Sequence, residues 1–214
     1  MKNILLLVCL ISAFSCQSDK VILLPEISNA QTTVVNDVSA AYIFFNETQP
    51  DSVELNRKNL ISTTNWLVNV DKRLTLEQAL PKIKFIQDKK RNAKMHKNES
   101  AKNYYSCNDT AIKNLGFMEF THVFYQFNAP VLTTNSKPLS TIRFIKKDSI
   151  IITHKNQTTT LKTLNQADRY FTAQDSITLC FNKHMTFQEY ITFKKDVEGL
   201  ETKKIAINPN EFIY

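Results

Sequence analysis

Glycine is nearly absent from this chain: Gly116 and Gly199 are the only two in 214 residues. Phosphate cradles of the Gly-x-Gly-x-x-Gly or Walker type need several glycines, so such nucleotide loops are excluded. The Gly-x-Ser-x-Gly nucleophile elbow is excluded for the same reason. Turns must rely on Asn, Asp, Ser and Pro instead. A long apolar run is also missing. The stretch from Ile4 to Phe14 falls short of the roughly 20 residues that span a bilayer. Histidine is sparse, and His96, His122, His154 and His184 form neither His-x-x-x-His nor His-Glu-x-x-His. No metal site and no cofactor is expected from them. Carboxylates are scattered singly, without the pairing that acid–base catalysis on sugars uses.

What is present begins with an address. Lys2 is followed by apolar Ile4 to Phe14, then Ser15-Cys16, then polar Gln17-Ser18-Asp19-Lys20. A charged start and a short apolar segment make a signal peptide, residues 1–15. Small residues placed just before a cysteine resemble the lipobox of bacterial lipoproteins. That resemblance implies cleavage before Cys16 and acylation, palmitate included, of its thiol and new amino terminus. The domain would then be anchored to the inner or outer membrane of the cell envelope, facing the periplasm or the surface. An ordinary secretory signal cleaved near Ser15 is the alternative. Acyl chains contribute roughly 0.8 kcal/mol per buried methylene, so a multiply acylated terminus stays anchored. Residues 16–31 contain Pro25 and few helix cues, and read as a lipid-anchored tether.

The formal net charge is +7. A basic balance suits nucleic acid, anionic lipid or an acidic polymer; a Lys- and Asn-rich composition explains it more simply. Lys89-Lys90-Arg91, with Lys94 and Lys97 nearby, follows a helical pattern and reads as that helix's C-terminal end, where cations suit the dipole. An exported chain has little access to nucleic acid, so no nucleic-acid partner is expected. Cys107 and Cys180 could form a disulfide, which the envelope permits. Alternatively they are separate thiols, Cys180 buried in a strand.

Two α+β regions are expected, at residues 32–131 and 139–214, with turn formers from Asn128 to Pro138 between them. In the first, Ala40 to Phe45 is strand-like and Leu60 to Val70 reads as one or two strands. Thr75-Leu76-Glu77-Gln78 is a capping box. Leu76, Leu80, Ile83 and Ile86 then recur at helical spacing. Asn92 to Asn108 reads as a polar loop or frayed helix, and Leu115 to Phe127 as a buried strand. In the second, Ser140 to Ile145 and Ser149 to Thr153 read as a hairpin. Thr158 to Phe171 has helical spacing. Ser176 to Phe181 alternates as a strand. Thr186-Phe187-Gln188-Glu189 is a second capping box, opening a helix that Gly199 should stop. Lys204 to Ile207 reads as a fourth strand, which Phe212-Ile213-Tyr214 either extends or follows as a last short one. The predicted fold is α+β: small mixed sheets with helices packed on one face, the C-terminal part running β-β-α-β-α-β.

That order, carried by Thr141-Ile142-Arg143-Phe144 with Ile150-Ile151-Ile152, by Ile177-Thr178-Leu179-Cys180-Phe181, by Asn182-Lys183 and by the helix opening Phe187-Gln188-Glu189-Tyr190, resembles the periplasmic domain of the ExbD/TolR family. Leu23-Leu24-Pro25-Glu26 is similar to that family's Leu-Pro stretch. The resemblance covers about a third of the chain. It implies an envelope protein partner and an association with a proton-driven transport system. The family's membrane helix carries an essential buried aspartate. Residues 3–15 here hold no acidic residue. The proton-coupled role therefore does not carry over, and a peptide-binding or scaffold role is what remains.

Four Asp-hydroxyl-aliphatic triplets, centred on Ser52, Thr110, Ser149 and Ser176, are similar to an envelope O-glycosylation motif. They also suit simple turns that open a strand. Four Asn-x-Ser/Thr sequons, at Asn46, Asn98, Asn108 and Asn156, accompany the high Asn and Thr content. The expected function is a non-enzymatic, lipid-anchored binding or scaffold module. An envelope enzyme using a cysteine and a histidine is one alternative. A carrier with an apolar pocket near Trp66 and Phe117 to Phe127 is another.

Overall fold

Among the described residues, two six-stranded mixed sheets and two α-helices build the fold. The computed structural model describes residues 20–93, 98–128, 130, 140–173, 175–201 and 205–214. The expected signal peptide, Cys16, Lys94, Lys97, His96, Lys204 and most of the expected boundary up to Pro138 lie outside those residues. The first sheet holds β1 (Glu26–Ile27), β2 (Val38–Phe45), β3 (Val53–Asn56), β4 (Asn65–Val70), β5 (Asn103–Asp109) and β6 (Asn114–Glu119). Helix α1 (Leu76–Arg91) joins β4 to β5. The second sheet holds β7 (Phe124–Gln126), β8 (Ser140–Lys146), β9 (Ser149–His154), β10 (Gln157–Leu161), β11 (Ser176–Phe181) and β12 (Ala206–Ile213). A 3₁₀ helix (Leu164–Arg169) precedes β11, and helix α2 (Phe187–Glu201) joins β11 to β12.

The elements follow side-chain chemistry. Strand β4 alternates, burying Trp66, Val68 and Val70. Strand β11 lies between β8 and β12 and is buried from Ile177 to Phe181, as a central parallel strand should be. Both helices open on the capping boxes. The Thr75 amide donates to Gln78 Oε1 at 2.9 Å, and the Thr186 amide to Glu189 Oε2 at 2.9 Å.

One connectivity occurs twice. Strands β2 and β3 form an antiparallel hairpin, β4 lies parallel to β2, and β5 lies parallel to β4 after α1. Strands β8 and β9 form an antiparallel hairpin, β11 lies parallel to β8, and β12 lies parallel to β11 after α2. The starts of the two helices meet through a reciprocal exchange. The Leu76 amide donates to Met185 O at 2.9 Å, and the Phe187 amide to Leu74 O at 2.7 Å. The Glu77 amide donates to Lys183 O at 3.0 Å, and the Gln188 amide to Lys72 O at 3.2 Å. Thr75 and Thr186 form an antiparallel bridge at the centre. Each half thus satisfies the helix-start amides of the other, in a local two-fold arrangement. One apolar cluster runs through both halves, from Ile27 to Ile213.

Several expectations change. Thr158 to Phe171 is no α-helix but β10 followed by the 3₁₀ helix. The cause is a two-residue hairpin, Lys155-Asn156, both at positive φ (48° and 65°), the geometry that best matches strand twist. The β-branched run Thr158 to Thr160 then pairs with β9. The second half therefore runs β-β-β-3₁₀-β-α-β. Asn103 to Asp109 is a strand rather than a polar loop, since Tyr105 and Cys107 join the core on one face while Tyr104 is buried on the other. Its buried Asn103 is answered by Lys90 Nζ at 2.9 Å. Leu115 to Phe127 is two strands in different sheets, so the chain crosses at Phe120 to Val123, ahead of the expected boundary. Helix α2 continues through Gly199 to Glu201.

From Lys20 onward the expected tether is a strap laid along the domain. Leu23 N donates to Asp71 Oδ2, and Lys72 N to Leu23 O at 2.7 Å. Glu26 exchanges backbone bonds with the Gln188 side chain at 2.8 and 2.9 Å, tying the strap to the second half. The Asp109 carboxylate accepts the amides of Ala30 and Asn29, and these bonds hold it below the usual carboxylate range. A methyl group at Gly116 would sit 2.5 Å from Ala30 Cβ, so glycine lets the strap lie this close.

The basic end of α1 forms as expected, and its cations serve the fold. Arg91 donates to Thr121 O and Val123 O, while Lys90 Nζ donates to Thr64 O, Lys102 O and Asn103 Oδ1 beside the Trp66 ring. Burial pushes the Lys90 ammonium down to about 8. Because this value is depressed, keeping the charge costs stability below pH 8, and the cost fades as pH rises toward the unfolded value near 10.4. Relative to a Lys90→Met variant, the wild type should gain up to about 3 kcal/mol between pH 8 and pH 10.5. Urea titrations of both proteins at the two pH values measure it. A constant difference would contradict the burial argument.

Candidate functional site

Two places gather polar chemistry. The first lies at the junction of the halves. Tyr105 on β5, Tyr125 on β7 and Tyr190 on α2 bring their hydroxyls together: Tyr105 bonds Tyr125, and Tyr125 bonds Tyr190 at 3.4 Å. Tyr190 donates to Glu211 Oε2 at 2.7 Å, and Lys194 Nζ donates to Glu211 Oε1 at 2.5 Å. Burial pushes all three phenols well above their ordinary value. Stacked rings surround them, with Tyr105 on Phe120 at 3.8 Å and Phe187 edge-on at 5.1 Å. Lys194 and Glu211 also line an open cavity of about 380 Å³, together with Thr121, His122, Glu198 and Asn208. Phe117 and Phe120 border it, but its polar walls do not suit an apolar cargo.

The second place is the free edge of the second sheet. Strand β10 ends that sheet, with Gln157, Thr158 and Thr160 exposed. In a two-residue hairpin the pair next to the turn exchanges both bonds, so His154 with Gln157 and Ile152 with Thr159 are the bonded pairs. The amides of Thr158 and Thr160 therefore face outward. Just past Leu161 the chain enters a groove of about 460 Å³, floored by Ile150, Leu164 and Phe193 and rimmed by Lys147, Lys162 and Asp196. The corresponding helix face in the first half is closed by the longer β2–β3 loop. There Gln78 Nε2 donates to Asp51 O at 3.0 Å, and Lys82 pairs with Asp51 at 3.0 Å.

No family model, curated protein or solved structure matches the chain. The site is therefore read from its own residues. Cys107 lies in β5 and Cys180 in β11, one in each sheet, and both are free buried thiols rather than a disulfide. Burial pushes Cys107 up to about 12 and Cys180 up to about 11. At pH 8 both should react with an aromatic disulfide reagent at least a hundredfold more slowly than a free thiol, about what those shifts dictate. Denaturant should restore normal rates, and fast labelling of the folded protein would revive the cysteine-enzyme reading. His154 bonds Ser140 Oγ at 2.8 Å, and His184 bonds Glu77 at 3.0 Å. Neither bond reaches a thiol.

The glycosylation candidates sit at turns. Ser52 has φ 54° in the β2–β3 loop, Thr110 follows β5, Ser149 starts β9 and Ser176 starts β11. Asp51 and Asp109 each accept the amide two residues on, the Asx turn that such triplets favour. The sequons at Asn46 and Asn98 make the same turn, bonding the hydroxyl two residues on at 2.7 Å. Sequence reasoning missed the Tyr–Glu–Lys network and the duplication. A signal for the second was present: Val70-Asp71-Lys72-Arg73-Leu74-Thr75 matches Phe181-Asn182-Lys183-His184-Met185-Thr186 in character, each just ahead of a capping box.

Proposed function

We propose that this chain is a non-enzymatic cell-envelope lipoprotein, anchored through acyl chains on Cys16, that binds an extended segment of an envelope protein. The outward edge of β10 running into the Ile150–Leu164–Phe193 groove carries this reading. Strand addition supplies main-chain hydrogen bonds, and a neighbouring pocket selects a side chain. The buried thiols support a module over a cysteine enzyme. Among the described residues no helix is long and apolar enough to cross a membrane, which is compatible with a lipid anchor. The second half lacks the first α-helix of the β-β-α-β-α-β order, so an accessory role beside an ExbD/TolR-like transport system rests on the envelope reading and is tested as such. O-glycosylation at Ser52, Thr110, Ser149 or Ser176 belongs to the same envelope reading.

The test is a pull-down from envelope fractions with the lipidated protein and with a Thr160→Pro variant. Proline at 160 removes an outward amide and leaves the β9 ladder intact. Capture of a motor subunit or TonB-like protein by the parent, lost in the variant, is the expected result. Capture of neither would count against the transport role. Equal capture by both proteins would sink the strand-addition site. Cys16→Ser should release the protein from the membrane fraction.

A further inference from the structure

Charge, more than main-chain pairing, decides which segment the β10 edge accepts. This step rests on the strand-addition reading of that edge. Only Thr158 and Thr160 turn their amides and carbonyls outward, so the edge offers four main-chain bonds. Main-chain bonds are blind to sequence, and selection falls to the side chains at the strand's ends and in the groove. Lysines stand at both ends. Residues 146–163 hold Lys146, Lys147, Lys155 and Lys162 against one carboxylate, Asp148. Lys155 sits in the hairpin turn before β10, and Lys162 follows its last residue. Lys146 and Lys147 lie at the β8–β9 turn, at the Lys162 end. All four are exposed. Among the described residues none of them is in ion-pair contact with a carboxylate. Elsewhere on the surface Lys72, Lys84, Lys102 and Lys195 each lie within 2.8 Å of one. The edge of the first sheet differs too. There Glu54 on β3 is answered by Lys20, and Asp51 in the adjoining loop by Lys82.

The groove adds a further condition. Its floor is Ile150, Leu164 and Phe193, and Asp196 on α2 borders it. Asp196 has no ion-pair contact among the described residues, and burial raises its carboxyl above the ordinary value. A second carboxylate inside the groove would meet Asp196. The side chain that enters is therefore apolar, and acidic groups belong at the two ends of the strand. Strand β10 has five residues and spans about 17 Å. We infer that the partner segment is an acidic extended peptide. Its carboxylates stand about five residues apart, one meeting Lys155 and the other meeting Lys147 and Lys162. A large apolar residue beside the second carboxylate fills the Ile150–Leu164–Phe193 groove.

The experiment uses the full-length mature chain carrying Cys16→Ser and follows its amide shifts by NMR. The probes are three blocked hexapeptides: Asp-Thr-Val-Thr-Leu-Glu, the same peptide with Asn and Gln at its ends, and the same peptide with Lys at both. The acidic peptide should shift the Thr158 and Thr160 amides and bind about tenfold tighter than the neutral one at low salt, with the gap closing at high salt. The Lys peptide should not bind. Lys155→Glu combined with Lys162→Glu should reverse that order, and Thr160→Pro should abolish binding. Equal binding of all three peptides at β10 overturns the acidic partner and leaves strand addition standing. Acidic-peptide binding that survives Thr160→Pro overturns the inference as plain attraction to a basic surface. No shift at Thr158 or Thr160 with any peptide sinks strand addition and this inference with it. If phosphatidylglycerol vesicles then shift the four lysines, the surface belongs to lipid.

Discussion

Replacing Glu211 with alanine should cost about 3 kcal/mol of stability, the lower end of what breaking a buried ion pair costs. Glu211 is 1% exposed and holds two partners at once, the Tyr190 hydroxyl and the Lys194 ammonium. Alanine leaves Lys194 without its counter-charge. It also strands the Tyr190 hydroxyl, and with it the chain of phenols to Tyr125 and Tyr105. The loss stays near the lower end because Lys194 lines the junction cavity and can turn toward water there. Glu211→Gln keeps an acceptor for Tyr190 and should lose less. Urea unfolding of the three proteins at one pH measures the ladder. Equal stability of wild type and Glu211→Ala would show that this network does not hold the halves together.

Phe187→Ala should cost about 3–5 kcal/mol, the range for emptying a buried aromatic site. Phe187 is fully buried and packs on both Tyr105 and Tyr190. Its amide completes the exchange with Leu74. Leu76 holds the matching place in the first half, so Leu76→Ala should cost about 2–5 kcal/mol. Because one apolar cluster spans both halves, each variant should still unfold in a single transition. Circular dichroism and Trp66 fluorescence, which reports on the first half, should give coincident curves. If Phe187→Ala unfolds the second half first, the halves are independent domains joined only by backbone contacts.

Local chemistry was legible in the sequence, and pairing across distance was not. The capping boxes at Thr75 and Thr186, the strands Ser176–Phe181 and Ser149–His154, and the basic end of α1 all appear where nearest-neighbour rules put them. Thr158 to Phe171 misled because Leu161, Leu164 and Ala167 keep helical spacing while the hairpin at Lys155-Asn156 draws the preceding threonines onto β9. Tyr104 and Tyr105 sit among polar residues, so their strand shows only when β4 and β6 flank it. The strap looked like a spacer because the carboxylates that collect its amides, Asp71 and Asp109, are remote in sequence.

For the candidate sites the same division applies. Composition and motif alone determined that glycine-rich nucleotide loops are absent and that local metal motifs are lacking. Tertiary structure decided that Cys107 and Cys180 are buried apart, that three tyrosines converge on Glu211, and that one helix face is open while its counterpart is closed. The physical reason is range. Capping, turn formation and side-chain period act within a few residues. Edges, grooves and buried networks depend on which distant segments the core brings together.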